Sequence, residues 1–381
     1  MKVFFTWHGA VLSPYRKYME EIVQNSDAEM TVLFPDEWYE GANLVQIRHQ
    51  DAGSGFYRTI ISRTVRRKGF DGTRFYYRDL KTIISNLRNE AYDIIHVYEE
   101  PWSLCALQML LLKSVFQPKA RFIFQSYENI KKSFKFPYNK IESIIFKYSH
   151  AALAFSEEIK HVLQDKGFNK NIHLITQGTD TSAFKKKEVS GLRRKYSLQS
   201  SFTIGYAGRL SEAKGLSYLM DAFSRLKMPC RLLLIGTGPY KQTLLNKARD
   251  LNIHDKIIWL ENISNEDISE YYSLMDALVL PSVTTALWKE QFGRVLVEAM
   301  LCGVPVIGSD SGEIPHVIGD AGLIFPEKNT DELTRLIETL QQDTKLRQDL
   351  IERGKKRAQE RFTWKIMAQE TVKAYHSILA Q

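Results

Sequence analysis

Short apolar runs alternate with segments of helical periodicity along most of the chain, and this alternation constrains the fold more than any other feature. Six apolar runs of strand length occupy the first half, at 1–7, 30–34, 93–100, 120–127, 150–156 and 171–178. Six more occupy the second half, at 202–208, 231–238, 256–263, 277–282, 304–310 and 321–325. Buried strands separated by helices predict a parallel sheet that is covered on both faces. The sequence therefore predicts an α/β chain with two successive doubly wound domains.

A polar stretch between the two series is the best candidate for a domain boundary. The residues FKKKEVSGLRRKYSLQSS at 184–201 are rich in charge and poor in apolar side chains, as linkers are. We assign 1–186 to a first domain, 187–201 to a linker and 202–363 to a second domain. With 381 residues the chain is long enough for two domains of ordinary size.

Cysteine, histidine and aspartate patterns argue against disulfides and metals. Cys105, Cys230 and Cys302 are far apart in apolar surroundings, which is typical of buried thiols in a reducing compartment. The nine histidines lack metal-ligand spacing, and no two aspartates stand two positions apart. The N-terminal MKVFFTWHGA suits a first strand better than a signal peptide, and no apolar run reaches the ~18–20 residues of a membrane span. We therefore expect a cytoplasmic protein that needs no metal and no other cofactor.

The positive charge is concentrated in one part of the chain. The net charge is +8, and the window 51–150 alone carries an excess of Lys and Arg of that size. It contains RTVRRKG at 63–69 and KKSFKFPYNK at 131–140, and the second segment interleaves aromatic residues with lysines. Such a surface suits an anionic membrane or a phosphate-bearing partner, and a solvated face without a partner is the alternative. We favour peripheral association with an anionic membrane and expect no nucleic-acid partner.

Two glutamates eight positions apart form the most suggestive local pattern. In EQFGRVLVE, Glu290 precedes the helix-start residue Gly293, and Glu298 falls about one turn inside the apolar helix that follows. The two carboxylates can converge on one polyhydroxylated ligand, while the free N–H groups of the helix start suit an anion. The combination suits a nucleotide-sugar. Ordinary acidic residues near a helix start are an equally good interpretation of this pattern taken alone.

Basic residues follow the first strand of the second series. In GRLSEAKG at 208–215, Gly208 allows a ligand to approach the backbone, and Arg209 and Lys214 can neutralise a diphosphate. In a glycosyl transfer the diphosphate leaves, so these cations would stabilise charge that grows in the transition state. A basic surface turn is the alternative. Gly236 begins a GTGP segment without the full G-x-G-x-x-G spacing, and a tight turn explains it as well as a ligand loop does.

The order of these motifs resembles the nucleotide-sugar domain of glycosyltransferase family 4. The resemblance rests on GRLSEAKG, LLLIGTGP, YYSLMDALVLPS and EQFGRVLVEAMLCGVPVIGSDSGEIPHVIGDAGLIF, and runs almost continuously from about 202 to 326. QGTDTSAF at 177–184 and RFTWKIMAQETVKAYHSIL at 361–379 are similar to the family's segment before the linker and to its last helix. The resemblance implies a GT-B fold, in which two Rossmann-like domains face each other across a cleft. It also implies that a C-terminal helix, here 364–381, crosses back to an N-terminal acceptor-binding domain.

The same resemblance implies roles for the residues of the second domain. Arg209 and Lys214 would hold the diphosphate, Glu298 the ribose hydroxyls and Glu290 the hydroxyls of the transferred sugar. Asn262 and Ile263 would lie against the nucleobase. The backbone N–H groups of Phe292, Gly293 and Arg294 would contact the sugar or the phosphate.

In the first domain the resemblance is less complete. Gly9 and Ala10 match the small-residue loop that approaches the phosphates. The family commonly has a histidine where this chain has Gln125, and a glutamine can hydrogen-bond a sugar hydroxyl but cannot act as an acid or base. His96 lies within a strand and is expected to be a core histidine. The candidates for acceptor contacts are therefore residues at strand ends: Glu99, Glu100, Gln125, Tyr127, Glu128 and Asn129.

These features together predict a metal-independent, retaining glycosyltransferase. It would move a hexose from a nucleotide-diphosphate sugar, with UDP as the expected nucleotide, to a hydroxyl of a saccharide or lipid-linked acceptor in cell-envelope polysaccharide or glycolipid synthesis. The inner face of the membrane is the expected site of action. The alternatives are a sugar-nucleotide epimerase of similar architecture, which needs an acid and a base but no acceptor, and a non-catalytic membrane or nucleic-acid binder.

Overall fold

The structure of the chain, a computed structural model, describes residues 1–40, 43–47, 55–65, 74–264 and 267–381. It divides into two compact units of similar size. The first comprises Met1–Gly178 together with Trp364–Gln381, and the second comprises Thr179–Thr363.

The first unit is built on a parallel sheet of seven strands. Its strands and two short antiparallel pairs are β1 Lys2–Thr6, β2 Glu29–Pro35, β3 Glu37–Glu40, β4 Asn43–Gln46, β5 Arg58–Ser62, β6 Thr64–Val65, β7 Tyr76–Tyr77, β8 Ile94–Val97, β9 Arg121–Ser126, β10 Ala151–Ala154 and β11 Asn171–Leu174. The helices are α1 Ser13–Gln24, α2 Leu80–Asn89, α3 Leu104–Phe116, α4 Tyr138–Tyr148 and α5 Glu157–Asp165. The sheet order is β11-β10-β9-β8-β1-β2-β5.

The second unit repeats this plan with six parallel strands. They are β12 Phe202–Ala207, β13 Cys230–Ile235, β14 Ile257–Leu260, β15 Ala277–Leu280, β16 Val306–Ser309 and β17 Leu323–Phe325. The helices are α6 Ser190–Lys195, α7 Leu216–Arg225, α8 Lys241–Asp250, α9 Ile268–Ser273, α10 Arg294–Leu301, α11 Ile314–Ile318, α12 Thr330–Gln342 and α13 Thr344–Arg361. The sheet order is β14-β13-β12-β15-β16-β17.

Both sheets have the strand order of a Rossmann fold. In the second unit the first strand, β12, lies between the second and the fourth, β13 and β15. In the first unit β1 lies in the same way between β2 and β8, and Phe5 is opposite both Val32 and His96. The order of the strands reverses at these two places, and ligands of open α/β sheets bind beyond the carboxyl ends of the strands at such switch points. The two parallel sheets confirm the predicted fold class.

The C-terminal helix packs against the first unit. This helix, α14 Trp364–Leu379, contacts α1, and together they cover one face of the first sheet, while α2 to α5 cover the other. A buried hydrogen bond joins the hydroxyls of Tyr18 and Thr371 at 2.7 Å. The return of this helix agrees with the expectation for residues 364–381.

The boundary between the units differs from the sequence-based one. The predicted linker, 187–201, contains α6 and belongs to the second unit, which begins at Thr179. The reason is the apolar residues hidden in the polar stretch: Val189 and Leu198 are buried in the core of the second unit. Each of the twelve predicted strands is present, whereas the edge strand β5 and the short antiparallel strands β3, β4, β6 and β7 were not predicted.

Candidate functional site

The carboxyl ends of β12 and β15 bring the predicted donor residues of the second unit to one edge of its sheet. Gly208 and Arg209 directly follow β12, Lys214 ends a short 3-10 turn, and Ser282 follows β15. Gly208 has a φ of 142°, a region that favours glycine. The switch point of the sheet therefore carries two cations and a hydroxyl.

Glu290 is held at the centre of this edge. Its carboxylate accepts hydrogen bonds from Lys214 Nζ at 2.6 Å and from Ser282 Oγ at 2.7 Å, and only 7% of the residue is exposed. Lys214 also lies over the ring of Trp288, 4.7 Å from its centroid. The structure thus brings together the predicted diphosphate cation and the predicted sugar-binding carboxylate, which stand 76 residues apart in the chain.

The backbone around Glu290 leaves no room for side chains. A Cβ on Gly312 would stand 2.0 Å from the carbonyl oxygen of Glu290, and Glu313 N donates to that oxygen at 3.1 Å. Gly293, with a φ of 80°, caps α10, so the helix begins at Arg294 as the sequence predicts. Phe292 is buried beneath this start and contacts Phe362 edge-on. Glycine and a buried aromatic residue therefore fix the approach to the helix N-terminus.

Glu298 lies in the second turn of α10 and is half-buried. It accepts a hydrogen bond from Tyr272 Oη at 2.6 Å. Burial raises the pKa of Glu298, and the bond from Tyr272 and the charge of Arg294 oppose this rise. The hydroxyl of Tyr272 therefore fixes the position of one carboxylate oxygen of Glu298.

Other predicted donor residues lie on neighbouring loops of the same sheet. Arg209 and Asn262 are exposed, and Asn262 has a φ of 56°, while Ile263 is half-buried against the core. Gly236 has a packing reason of its own, because a Cβ there would stand 1.9 Å from the carbonyl oxygen of Gly208. Close contact between two strand ends thus accounts for Gly236 without a ligand.

In the first unit, the loop after β1 is held in place by His8, for which the sequence predicted no role. His8 Nδ1 lies 2.7 and 2.9 Å from the two carboxylate oxygens of Glu99, and the backbone N–H of His8 donates to the same carboxylate at 2.8 Å. Ala10 is fully buried, and a Cβ on Gly9 would stand 2.6 Å from the Trp7 ring. Glu99, predicted as an acceptor contact, is therefore first of all the partner of His8.

Glu100 and the residues after β9 form a second buried polar group. The Glu100 carboxylate accepts from Ser126 Oγ at 2.7 Å and from Tyr127 N at 2.9 Å, and it is 3% exposed. Burial raises the pKa of Glu100 to about 8, although both hydrogen bonds oppose the rise. Glu128 is also buried and pairs with Lys132 at 2.5 Å. Glu100 thus ties the loop after β9 to the end of β8.

Glu100→Gln is expected to remove a pH-dependent loss of stability. The raised pKa means that the folded protein prefers the protonated carboxyl of Glu100. The stability that depends on this proton is complete below pH 4.5 and is lost as the pH rises through about 8. At about 1.4 kcal/mol per pKa unit the loss is on the order of a few kcal/mol. Thermal unfolding of both proteins between pH 4.5 and 9 measures it, with the exposed Glu29→Gln as control. A difference in Tm that stays constant over this range would contradict the assignment.

Gln125 does not reach a surface. It is fully buried in β9 beside His96, which is also fully buried and whose Nδ1 lies 2.6 Å from Tyr375 Oη on α14. Burial lowers the pKa of His96 to about 3, so the ring is neutral. His96 is therefore a core histidine, as expected. The side chain of Gln125 could contact an acceptor only if it became exposed.

Among the residues that the structure describes, no three histidine, cysteine or acidic side chains are grouped as metal ligands would be. Within the same ranges, no helix is both long and apolar enough to cross a bilayer.

Two family models match the chain, one on each unit. "Glycosyl transferases group 1" matches residues 192–357, and "Glycosyltransferase Family 4" matches residues 29–183. The chain belongs to the GT-B glycosyltransferases of the family 4 type. The resemblance inferred from its motifs is thereby confirmed.

Several curated relatives of this family 4 chain carry specific names. N-acetyl-alpha-D-glucosaminyl L-malate synthase of Bacillus anthracis is 31% identical over 218 residues, which are 55% of each protein. The capsular polysaccharide biosynthesis glycosyltransferase CapM of Staphylococcus aureus is 27% identical over 242 residues, 60% of this chain and 62% of the relative. The chain spans about half the length of the curated relatives that it matches.

Solved structures resemble this family 4 chain over its full length. HepE of Anabaena, solved in complex with UDP, has a TM-score of 0.74 and 17% identity, and the match covers 99% of both chains. Sucrose-phosphate synthase of Thermosynechococcus elongatus has a TM-score of 0.72 and 19% identity over 100% of this chain and 99% of the other. At these identities the likeness shows the fold alone.

Sequence reasoning missed residues of the family 4 chain that act through the predicted ones. Ser282 and Tyr272 hold Glu290 and Glu298, and His8 holds Glu99. Ser282 is the last residue of a predicted strand and His8 directly follows another, so their place at a strand end was the available signal. Tyr272 lies in a helix and gave no such signal.

Proposed function

We propose that the protein is a retaining glycosyltransferase that transfers a hexose from a nucleotide-diphosphate sugar, with UDP as the expected nucleotide. The observation that carries the proposal is the Lys214–Glu290–Ser282 cluster at the switch point of the second sheet, with Arg209 beside it. The names of the relatives support a sugar donor and a saccharide or glycolipid acceptor, since they include mannosyltransferases and an N-acetyl-alpha-D-glucosaminyl L-malate synthase. The UDP complex of HepE supports a uridine nucleotide.

The chemistry follows from the charges at this edge. As the bond from the sugar's anomeric carbon to the diphosphate breaks, negative charge grows on the leaving oxygen, and Arg209 and Lys214 stabilise it. These fixed cations can serve without a metal ion. Glu290 is engaged by a cation and a hydroxyl, which suits it to orient sugar hydroxyls rather than to attack carbon. We therefore infer a front-face displacement in which the acceptor oxygen bonds to the anomeric carbon while its proton passes to the departing diphosphate.

Incubation of the protein with single donors tests this function. A panel of UDP-, GDP- and ADP-sugars is followed by nucleotide release and by the structure of the recovered sugar, with and without saccharide acceptors. Transfer or slow hydrolysis with the α-configuration kept supports a retaining transferase. Isomerised nucleotide-sugar would identify an epimerase instead, and inverted products would contradict the proposed stereochemistry.

We further infer that α3 and α4 of the first unit dock on an anionic membrane. The two helices pack against each other, and both expose apolar side chains. Phe136, just before α4, is 80% exposed. The other exposed apolar residues of this surface are Leu111, Val115, Ile144 and Tyr148. Lysines border them, among them the exposed Lys131, Lys135 and Lys140, so apolar insertion and charge attraction would act together. Arg66, Arg67 and Lys68, the other basic cluster, lie outside the described residues.

Removing three of these lysines is expected to weaken membrane binding strongly. Each basic residue near an anionic surface contributes about 1 kcal/mol, so the alanine variant of Lys131, Lys135 and Lys140 would bind about 100-fold more weakly. Co-sedimentation with vesicles containing phosphatidylserine at low salt measures this. The control replaces three exposed lysines from other parts of the chain, Lys345, Lys356 and Lys365. Equal binding of both variants, or equal binding to neutral vesicles, would refute the electrostatic argument.

A further inference from the structure

A small cavity opens beside the loop that follows β1 in the first unit. Its volume is about 260 Å³, near the lower end of the ~300–1,000 Å³ of small-molecule sites. The side chains that line it include His8, Leu12, Tyr15, Trp38, Tyr39 and Val45. The cavity lies at the carboxyl end of β1, where the strand order of the first sheet reverses, and this is the place where open α/β sheets bind ligands.

The His8 ring is held in one orientation at the wall of this cavity. The carboxylate of Glu99, 2% exposed, is bonded to both the backbone N–H and the Nδ1 of His8. The ring also contacts Trp38, at a centroid distance of 4.5 Å, and the edge of Phe75 at 6.0 Å. With Nδ1–H directed to the carboxylate, Nε2 is the acceptor nitrogen. Nε2 has no hydrogen-bond partner among the described residues, so the geometry leaves it to a ligand.

The lining of the cavity determines the class of ligand. Aromatic faces and aliphatic side chains suit the apolar face of a ring, while Nε2 of His8 can accept a hydrogen bond from a hydroxyl. No lysine or arginine is among the described residues that line the cavity, so a phosphate or carboxylate would find no cation, and the Glu99 carboxylate would oppose it. The volume admits a single ring. These properties fit an uncharged polyhydroxylated ring, a monosaccharide or a cyclitol, better than a nucleotide.

We propose that this cavity binds a sugar or cyclitol ring of the acceptor and that His8 accepts a hydrogen bond from one of its hydroxyls. Glu99 acts as a positioning residue, because it selects the tautomer that leaves Nε2 able to accept. Trp38 and Tyr39 provide the apolar contact. The proposal rests on the transferase function proposed above, since it gives that reaction its acceptor subsite.

Saturation-transfer NMR with uncharged ring probes tests the proposal on the full chain. The probes are methyl α-D-mannopyranoside, methyl β-D-glucopyranoside, methyl N-acetyl-β-D-glucosaminide and myo-inositol. At least one is expected to bind saturably. Its affinity should fall at least 10-fold in Trp38→Ala and about 10-fold in His8→Ala, the value of one hydrogen bond of about 1.4 kcal/mol. Tyr76→Ala, which truncates another exposed aromatic residue of the same unit, is the control and should bind normally.

Two further variants separate a positioning role from a structural one. Glu99→Gln should weaken probe binding, because the carboxylate no longer orients the His8 ring, whereas His8→Gln, which keeps an acceptor oxygen, should recover part of the affinity lost in His8→Ala. Circular dichroism of each variant verifies that it is folded. Absence of saturable binding for all four probes, or binding unchanged in both Trp38→Ala and His8→Ala, overturns the proposal.

The donor site is tested separately with UDP on the same variants. Probe binding that disappears in Glu290→Gln rather than in His8→Ala would place the ring in the second unit, and the proposal would fail while the transferase function stood. If the wild-type protein does not bind UDP but still binds the ring probe at His8, the proposed donor is wrong and the ring site stands. Uridine is included as a competitor, and displacement of the ring probe by uridine would assign the cavity to a nucleoside and contradict the proposal.

Discussion

Replacement of Arg209 or Lys214 by alanine is expected to lower kcat by about 10²–10³-fold, the usual effect of removing one group that stabilises growing negative charge. Both cations stand at the carboxyl end of β12, where the diphosphate is proposed to leave. Steady-state kinetics with the donor found by the panel measures the effect. The drop should appear in kcat more than in KM, because the charge on the leaving oxygen is greatest in the transition state.

The two variants differ in what they do to the folded protein, which makes them a useful pair. Lys214→Ala leaves the buried Glu290 without its cation and is expected to lower stability as well. Arg209 is exposed, so Arg209→Ala should leave stability unchanged. Lys247→Ala, which breaks the partly exposed pair with Asp221, is the control and should retain full activity. If Arg209→Ala and Lys214→Ala both turn over normally, the leaving-group account is wrong.

Substitutions of the two glutamates of the E-x₇-E pattern are expected to differ in their kinetic effects. Glu290→Gln keeps the shape of the side chain but weakens its hold on the transferred sugar, so kcat should fall by about 10–100-fold, the value of a charge-assisted hydrogen bond of ~1.5–3 kcal/mol. Glu298→Gln weakens the contact with the nucleotide and should raise KM for the donor by a similar factor with little change in kcat. Hydrogen bonds to the backbone fix the loop around Glu290, so both variants should fold.

Titration with the free nucleoside diphosphate provides the matching binding measurement. It should bind more weakly to Glu298→Gln and with unchanged affinity to Glu290→Gln, because only the first glutamate is assigned to the part that leaves. The reverse result would exchange the two roles. Equal weakening in both variants would show that neither glutamate discriminates sugar from nucleotide.

Local sequence rules were sufficient for the strands and for the start of α10. All twelve apolar runs contain strands, because parallel strands buried on both faces need continuous apolar residues. Gly293 marks the start of α10, since its φ of 80° is easily reached only without a side chain. The pair Glu290 and Glu298 was therefore placed correctly relative to the helix before the fold was known.

The partners of these residues could not be predicted in the same way. Lys214 and Glu290 come together because β12 and β15 are neighbours in space although β13 and β14 separate them in the chain. His8 and Glu99 meet for the same reason across β1 and β8, 91 residues apart. The edge strand β5, RTIIS, is partly exposed and too weakly apolar to give a strand signal. Contacts across a sheet depend on strand order, which local patterns do not specify.

Burial of polar residues was the other property that the sequence concealed. Gln125 occupies a strand position where the family commonly has a histidine, yet its side chain lies in the core with His96 and Tyr375. Alternation along β9 directs Gln125 to the same face as Ile123, the face covered by α14. Since α14 is contributed by the far end of the chain, the burial of Gln125 is a tertiary effect.

Calorimetric titration of the intact protein with UDP, GDP and ADP tests the central claim most directly, namely that the switch point of the second sheet binds the diphosphate of the donor. The wild-type protein is predicted to bind at least one of them, and the Arg209→Ala/Lys214→Ala double variant to bind it at least 100-fold more weakly, since each charge-assisted contact contributes ~1.5–3 kcal/mol. Binding of the corresponding nucleoside should be weak and equal in both proteins. Failure of all three diphosphates to bind, or equal affinity in the double variant, would contradict the account.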